Sequence, residues 1–361
     1  MSAEGKTPAH GGDVWKAQDK WGIAPQAILD FSANINPLGP SPRALKAIEE
    51  QLPLIRHYPE PGAISLKNEL ARYLGVLSEQ VVLGNGGSEL IYLAARLFYK
   101  GRVLLLAPCF SEYGQGLPDA HIRHFPLKRE EGFRLPVKAF CMAIKPDDLI
   151  FIGNPNNPTG NLFERSGLIE IVEQGARIGA RVVIDEAFLD FVGDPGQSLR
   201  DRTGVNQNLI MVSSLTKFFA IPGLRLGYAV VHPRTALLME KLLPAWRINS
   251  LAAVAARASL SDHSYINETI GTVKREREFL QRELPGLGLT VYPGVSNFLL
   301  LEIPAAKTLS ARMIQELLGP AGILIRNCDN FENLTPGHFR IAVKKRPENL
   351  RLLEALKEVL A

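Results

Sequence analysis

Residues 148–187 read DLIFIGNPNNPTGNLFERSGLIEIVEQGARIGARVVIDEA, and their pattern decides the fold. DLIFIG is a short apolar run that stops at a Gly/Asn/Pro cluster. RVVIDEA is a second run, β-branched and closed by two carboxylates. Both have the length and composition of buried strands. Between them, RSGLIEIVEQGARIG (165–179) spaces its apolar residues at helical intervals. A strand, a helix and a strand in this order form a crossover unit. The two strands then run parallel, with the helix on one face of their sheet.

The same alternation extends outward. QVVLGNG (80–86), RVLLLAP (102–108), LIMVSSL (209–215) and LGYAVV (226–231) read as further buried strands, and ELIYLAARLFYK (89–100) as another helix. The prediction is an α/β protein: a three-layer α/β/α large domain over residues 51–245, its mostly parallel sheet covered on both faces. After residue 245 the texture changes. NSLAAVAARASL and INETIGTVKREREFLQREL are helical, and NFLLLEI, GILIRNC and HFRIAVKK are strands. They predict a smaller α+β domain over 246–361. Residues 1–50, rich in Pro and Gly, form a segment expected to pack with that small domain.

At 361 residues, 46% hydrophobic and 22% charged, the chain can bury a large core. A net charge of +4 is too small to mark a nucleic-acid surface and is compatible with anionic small molecules. The three cysteines lie far apart with no zinc-ligand spacing, so no metal is expected and the thiols read as free in a reducing compartment. The amino terminus lacks the apolar core of a secretory signal, and no apolar run is long enough to span a bilayer. The expectation is a cytoplasmic protein with neither nucleic acid nor membrane as a partner.

Chemistry concentrates in a few places. In SSLTKFFAIPGLRLGY (213–228) one lysine stands among apolar residues, with LTK expected to end a strand and IPGLRLG to begin the next. Apolar surroundings disfavour an ammonium, so Lys217 is expected to have a lowered pKa and an amine that can condense with a carbonyl. Ser214 precedes it and Arg225 follows. With the Gly86-Gly87-Ser88 turn of GNGGSEL (84–90), they suggest an anion cup at a helix start; the plain alternative makes Ser88 an N-cap. That turn alone is equally a plain strand-to-helix connection.

Asp185 ends a buried strand, where open α/β sheets bind ligands, and could hold a ring nitrogen protonated. Glu186 beside it reads as structural. NPNNPTG (154–160) is a rigid turn whose Asn157 amide can donate to a phenolic oxygen, and APCFSEY (107–113) offers Tyr113 either as a ring face for a flat cofactor or as a core aromatic.

Together these motifs resemble the fold-type I pyridoxal-phosphate enzymes of the aminotransferase class I/II group. The Ser-x-x-Lys…Arg spacing, NPNNPTG, DEA and the glycine turn occur in that family's order, and the likeness covers essentially the whole chain. It implies pyridoxal 5'-phosphate as cofactor, joined covalently to Lys217. It further implies that Gly86, Gly87, Ser88, Ser214 and Arg225 hold the cofactor phosphate. Tyr113 would stack on the ring, Asn157 would donate to the ring oxygen and contact substrate, and Asp185 would keep the ring nitrogen protonated. Tyr58, in RHYPEPG, would reach the cofactor phosphate of a neighbouring subunit, giving a homodimer with shared sites. Arg340, in HFRIAV, would pair bidentately with a substrate carboxylate. One departure stands out: Phe188 occupies the position after DEA where many relatives have tyrosine.

Two reactions fit that resemblance. AHGGDVW, LDFSANINPLGPSP and ILIRNC are similar to members that decarboxylate a phosphorylated amino acid; amino transfer on a phosphorylated amine is the alternative. In the first reading His10, Asn34 and Arg326 converge on the substrate phosphate. Arg326, set between apolar strand residues and Asn-Cys, needs an anionic partner. Which reaction follows depends on which bond at the substrate Cα stands perpendicular to the cofactor ring, a matter of orientation well under about 1 Å.

Overall fold

The computed structural model describes residues 10–117 and 119–360. Strand β1 (Leu29–Asp30) lies in the amino-terminal segment. The central sheet is built from β2 (Val81–Gly84), β3 (Arg102–Ala107), β4 (His121–Pro126), β5 (Leu149–Gly153), β6 (Arg181–Asp185), β7 (Leu209–Ser214) and β8 (Gly227–Val231), in the order β2-β8-β7-β6-β5-β3-β4. Only β8 runs against its neighbours. Both faces are covered. Val103, Leu105, Phe151 and Val183 pack on Leu90, Ala94 and Phe98 of the helix Gly87–Phe98. Leu104, Leu106, Ile150 and Ile184 pack on Leu168, Ile171 and Val172 of the helix Arg165–Ile178. Burial on both sides is why these strands read as unbroken apolar runs rather than alternating ones. Strand β4, HIRHFP, escapes that reading. It is an edge strand whose side chains are half-buried or exposed, so polar residues are tolerated along it.

The carboxy-terminal sheet contains β9 (Thr290–Val291), β10 (Phe298–Glu302), β12 (Arg326–Asn327) and β13 (His338–Ala342), antiparallel in the order β12-β13-β10-β9. The short strand β11 (Ile323–Leu324) precedes β12 and pairs in parallel with β1. Leu299, Leu301, Phe339 and Ile341 point to one face and pack on the helices Ala311–Leu318 and Arg346–Leu360. By strand alternation Arg340 points to the other face. The amino-terminal segment touches both sheets' territories. Trp21 fills the space above Gly319, where a Cβ would come within 2.1 Å of its ring. Further on, the helix Pro42–Glu50 packs on the helix Ser250–Leu260, whose Ala252, Ala255 and Ala256 share a core with Leu83, Tyr228 and Val230 of the central sheet.

Two local expectations are corrected. Lys217 does not close a strand: it sits in the short helix Leu215–Phe218, which starts immediately after β7. The hydroxyl of Ser214 caps that helix by accepting from the Thr216 N–H. The chain then turns through Pro222–Leu224 and enters β8 only at Gly227. At the other turn, the N-cap is Gly86 and not Ser88, which lies one residue inside the helix. Gly86 has φ 86°, a conformation glycine adopts without the penalty a Cβ would bring.

Candidate active site

Strand β3 has β4 on one side and β5 on the other, so the connections leaving its neighbourhood diverge and open a crevice at the carboxyl ends of the strands. A cavity of about 420 Å³ occupies that crevice. Register brings its floor level: Gly153 lies opposite Asp185, Asp185 opposite Val212, and Ser214 opposite Gly227, which in turn faces Gly84.

One end is a cup for an anion. A Cβ on Gly227 would stand 2.5 Å from the Gly86 carbonyl carbon and the Gly87 nitrogen, and a Cβ on Gly86 would stand 2.7 Å from Arg225 Nη2. Only glycine lets these backbones and the guanidinium meet. Gly87 and Ser88 line the cavity at the start of a twelve-residue helix, whose free N–H groups and dipole favour negative charge. The Ser214 and Thr216 hydroxyls lie 2.7 Å apart beside them. Arg225, with φ 54° and ψ 75°, is held in left-handed backbone and donates to the Pro222 carbonyl at 3.2 Å. Strain of this kind is kept where the surroundings fix the residue for a task.

In the middle stand Lys217, Asp185 and Asn157. Burial lowers the Lys217 pKa to about 8, helped by the Arg340 and Arg225 charges and opposed by Asp30 and Asp185. Burial pushes the Asp185 carboxyl up, while the Ala187 N–H, the Tyr113 hydroxyl and Lys217 act the other way. Its Oδ1 accepts from Ala187 N at 3.0 Å and its Oδ2 from Tyr113 Oη at 2.9 Å. Asn157 Oδ1 accepts from Arg340 Nη1, which leaves the amide N–H₂ for another acceptor. Phe188 contributes an apolar wall, edge-on to Phe298 at 4.9 Å.

The far end holds two guanidinium groups. Arg326 and Arg340 are directly opposite each other on β12 and β13, and each is only 6% exposed. Arg340 Nη2 donates to the Ser32 carbonyl at 2.9 Å, and its buried Nε has no partner among the described residues. Burial lowers its pKa to about 10. Arg326 donates to the Asn327 carbonyl and to Asn330 Oδ1 at 2.8 Å, and lies over the Phe331 ring at 5.2 Å. Like charges directly across a ladder repel, more so when desolvated. Among the described residues neither arginine makes an ion pair; Asp329 acts on Arg326 and Asp30 on Arg340 only from a distance. Asn34, 3% exposed, lines the cavity beside them. His10 lies on the rim and contacts Glu112 through Nε2 at 2.8 Å; the other Glu112 oxygen takes the Tyr92 hydroxyl. The His10 contact is the main cause that holds the Glu112 carboxyl below its usual range.

The residues expected at this chain's own site gather around one cavity. Tyr58 is elsewhere: 79% exposed, it stacks on Trp246 at 4.7 Å above a separate groove. Tyr113 is present but does not offer a ring face. It is 1% exposed and its ring stacks on Phe151 at 5.4 Å, while Phe110, edge-on to Tyr113 at 5.6 Å, is the half-buried ring that this segment also brings to the cavity. PCFSEY contains both rings, and nothing in its pattern tells which one turns inward. Thr216, Glu112 and Phe331 also line the cavity without having been singled out. Thr216 had a usable signal, a hydroxyl between Ser214 and Lys217 in a motif already suspected of binding phosphate.

The donor set fits pyridoxal 5'-phosphate part by part. A glycine cradle with two hydroxyls and Arg225 suits its phosphate, and a carboxylate at the strand end suits its ring nitrogen. The free Asn157 amide suits its ring oxygen, and an amine with lowered pKa suits its aldehyde.

A model of the family "Aminotransferase class I and II" matches residues 26–356. The chain is 37% identical over 98% of its length to threonine-phosphate decarboxylase of Salmonella typhimurium, of which it covers 96%. It is 35% identical over 98% of its length to the adenosylcobalamin biosynthesis bifunctional protein CobDQ of Leptospira interrogans, spanning 41% of that longer protein. Among solved structures, the histidinol-phosphate aminotransferase from Clostridium acetobutylicum superposes with a TM-score of 0.84 at 31% identity, covering 91% of this chain and 98% of that one. A family model over most of the chain and relatives similar from end to end agree: the chain belongs to the aminotransferase class I and II family.

Proposed function

We propose that the chain is a pyridoxal-phosphate-dependent decarboxylase that converts L-threonine O-3-phosphate to (R)-1-amino-2-propanol O-2-phosphate and CO₂, supplying the aminopropanol linker of cobalamin. One observation carries the choice of substrate: two buried arginines opposed across a ladder, neither in an ion pair among the described residues. The arrangement suits a small molecule with two anionic groups, as an amino acid bearing a phosphate has. The decarboxylase relative, similar from end to end, supports the same reading.

Pyridoxal 5'-phosphate, when bound, supplies an aldehyde that captures the substrate amine and a ring that draws electrons from Cα. The chain's residues do the rest. Gly86, Gly87, Ser88, Ser214, Thr216 and Arg225 hold the cofactor phosphate, Phe110 covers the ring, Asn157 meets the ring oxygen and Asp185 the ring nitrogen. Arg340 grips the substrate carboxylate. Arg326, with His10 and Asn34, grips the substrate phosphate. Two fixed points leave the substrate one orientation, and that orientation selects the Cα–carboxylate bond for cleavage. CO₂ departs, and a proton takes its place at Cα. Lys217, with a pKa of about 8, is suited to hold and deliver that proton at neutral pH. Phe188 gives no hydroxyl to the ring oxygen, so Asn157, steadied by Arg340, is its donor.

The direct assay is L-threonine phosphate with the purified protein, measuring CO₂ and the amine product with and without 2-oxoglutarate. CO₂ without any keto acid supports the proposal. A second reading, amino transfer on histidinol phosphate, is favoured by the 0.84 TM-score to such an enzyme. It predicts turnover only with the keto acid and no CO₂. L-serine phosphate, one methyl smaller, tests a third reading; a methyl is worth about 1–3 kcal/mol of discrimination, so some turnover is expected.

We also place the protein in a homodimer. Leu52, Ile55, Tyr58, Leu242 and Trp246 are all half-exposed or more in a single chain. Tyr58 and Trp246 stack on each other, and a second copy that covers these exposed apolar residues would let Tyr58 reach that copy's cofactor phosphate. Sedimentation should give a dimer, and Trp246→Asp should shift it to monomer and weaken cofactor binding; a wild-type monomer with full activity would refute the shared site. Among the described residues no helix is long and apolar enough to cross a membrane. With three free thiols, a cytoplasmic location fits, and recovery in the membrane fraction on cell lysis would count against it.

A further inference from the structure

We infer that Tyr113 is a positioning residue for Asp185: its hydroxyl fixes and charges the carboxylate that meets the cofactor ring nitrogen. The inference rests on the cavity being a pyridoxal-phosphate site. Its observations are local and independent of the family likeness. The Tyr113 ring is stacked on Phe151 and edged by Phe110, so it cannot shift sideways. Its hydroxyl reaches Asp185 Oδ2 at 2.9 Å. Gly153, directly opposite Asp185 in the sheet, makes room for it: a Cβ there would lie 3.0 Å from Tyr113 Oη. The other carboxylate oxygen is held by the Ala187 N–H at 3.0 Å. One donor on each oxygen fixes the carboxylate plane and leaves remaining lone pairs to a ligand.

The electrostatics run the same way. Burial favours the neutral acid, and a neutral Asp185 cannot hold a ring nitrogen protonated. Donation from a phenol favours the carboxylate. The phenol keeps its proton throughout the working range, because burial pushes its own pKa well above the usual value.

The test uses the cofactor-free full-length protein and two probes, pyridoxal 5'-phosphate and its carbocyclic analogue with CH in place of the ring nitrogen. The measured quantity is each dissociation constant, by absorbance titration. In wild type, pyridoxal phosphate should bind more tightly than the analogue. Tyr113→Phe should weaken pyridoxal phosphate by roughly tenfold or more, the loss of one hydrogen bond to a charged group, and leave the analogue unchanged. That loss should grow as pH falls, since Asp185 then protonates more readily. Gly153→Ala, which crowds the hydroxyl while keeping it, should show the same selective loss. It provides the same readout should the phenylalanine variant fail to fold. Equal loss for both probes, or no loss for either, overturns the positioning role. If wild type binds neither probe, the cofactor reading fails instead.

Discussion

The two ends of the cavity are made in different ways. The cofactor end is assembled from the places where parallel strands stop: Gly86 after β2, Asn157 after β5, Asp185 at the end of β6, and Ser214 and Lys217 where β7 becomes a helix. The substrate end is assembled across an antiparallel ladder, where Arg340, in the middle of β13, faces Arg326 on the two-residue edge strand β12. Stops between elements need turn residues, and turn residues leave a local trace. A mid-strand arginine leaves almost none, because its partner across the ladder is set by long-range pairing. In the proposed reading, the first end equips the chain for the chemistry of its whole family, and the second narrows that chemistry to a doubly anionic substrate.

The largest effect that would break this division lies at the cofactor end. Lys217→Ala should abolish the visible absorbance band of the bound cofactor and lower CO₂ release by about 10³-fold or more for every substrate alike. Selective loss for phosphorylated substrates alone would mean the two ends are not separable in this way. Next, Arg326→Ala should weaken L-threonine phosphate about 100-fold, while an unphosphorylated analogue loses little. Equal losses, read as KM for each substrate, would remove Arg326 from the phosphate contact.

Smaller effects sharpen the comparison through stability. Burial holds the Lys217 amine at about 8, below its ordinary 10.5. Below pH 8 the folded and unfolded chains both carry the proton, and the folded chain bears the full cost of a buried ammonium. Between pH 8 and 10.5 the folded amine is neutral while the unfolded one is not, so cofactor-free stability should rise with pH across that window. Lys217→Met should lack this rise in denaturant titrations. At the other end, Arg326→Met removes one of two opposed charges. It should stabilise the substrate-free protein by about 1 kcal/mol, where loss of an ordinary structural arginine would destabilise it.

The same division explains what was legible in the sequence. Six strands of the central sheet could be read because burial on both faces makes them continuous apolar runs, whereas the edge strand HIRHFP could not. Asp185, Asn157 and the glycine cradle could be read from their places at strand ends. Lys217 was found by its surroundings, but its short helix was not, since four residues carry no periodicity. The choice between Phe110 and Tyr113 depended on a tight turn that buries one ring against Phe151 and leaves the other half-buried at the cavity. Arg340 and Arg326 could be suspected singly, through the family likeness and an unusual apolar setting. Their face-to-face pairing needed the ladder register. Glu112, an acid among anion-binding groups, gave no reason to be chosen until His10 was seen against it.

The central claim is that one amine, Lys217, forms the covalent link to pyridoxal 5'-phosphate. Borohydride reduction of the cofactor-loaded protein, followed by proteolysis and mass spectrometry, tests it directly. The account predicts a pyridoxyl adduct on the peptide containing Lys217 and on no other lysine; an adduct elsewhere, or none on that peptide, would contradict it.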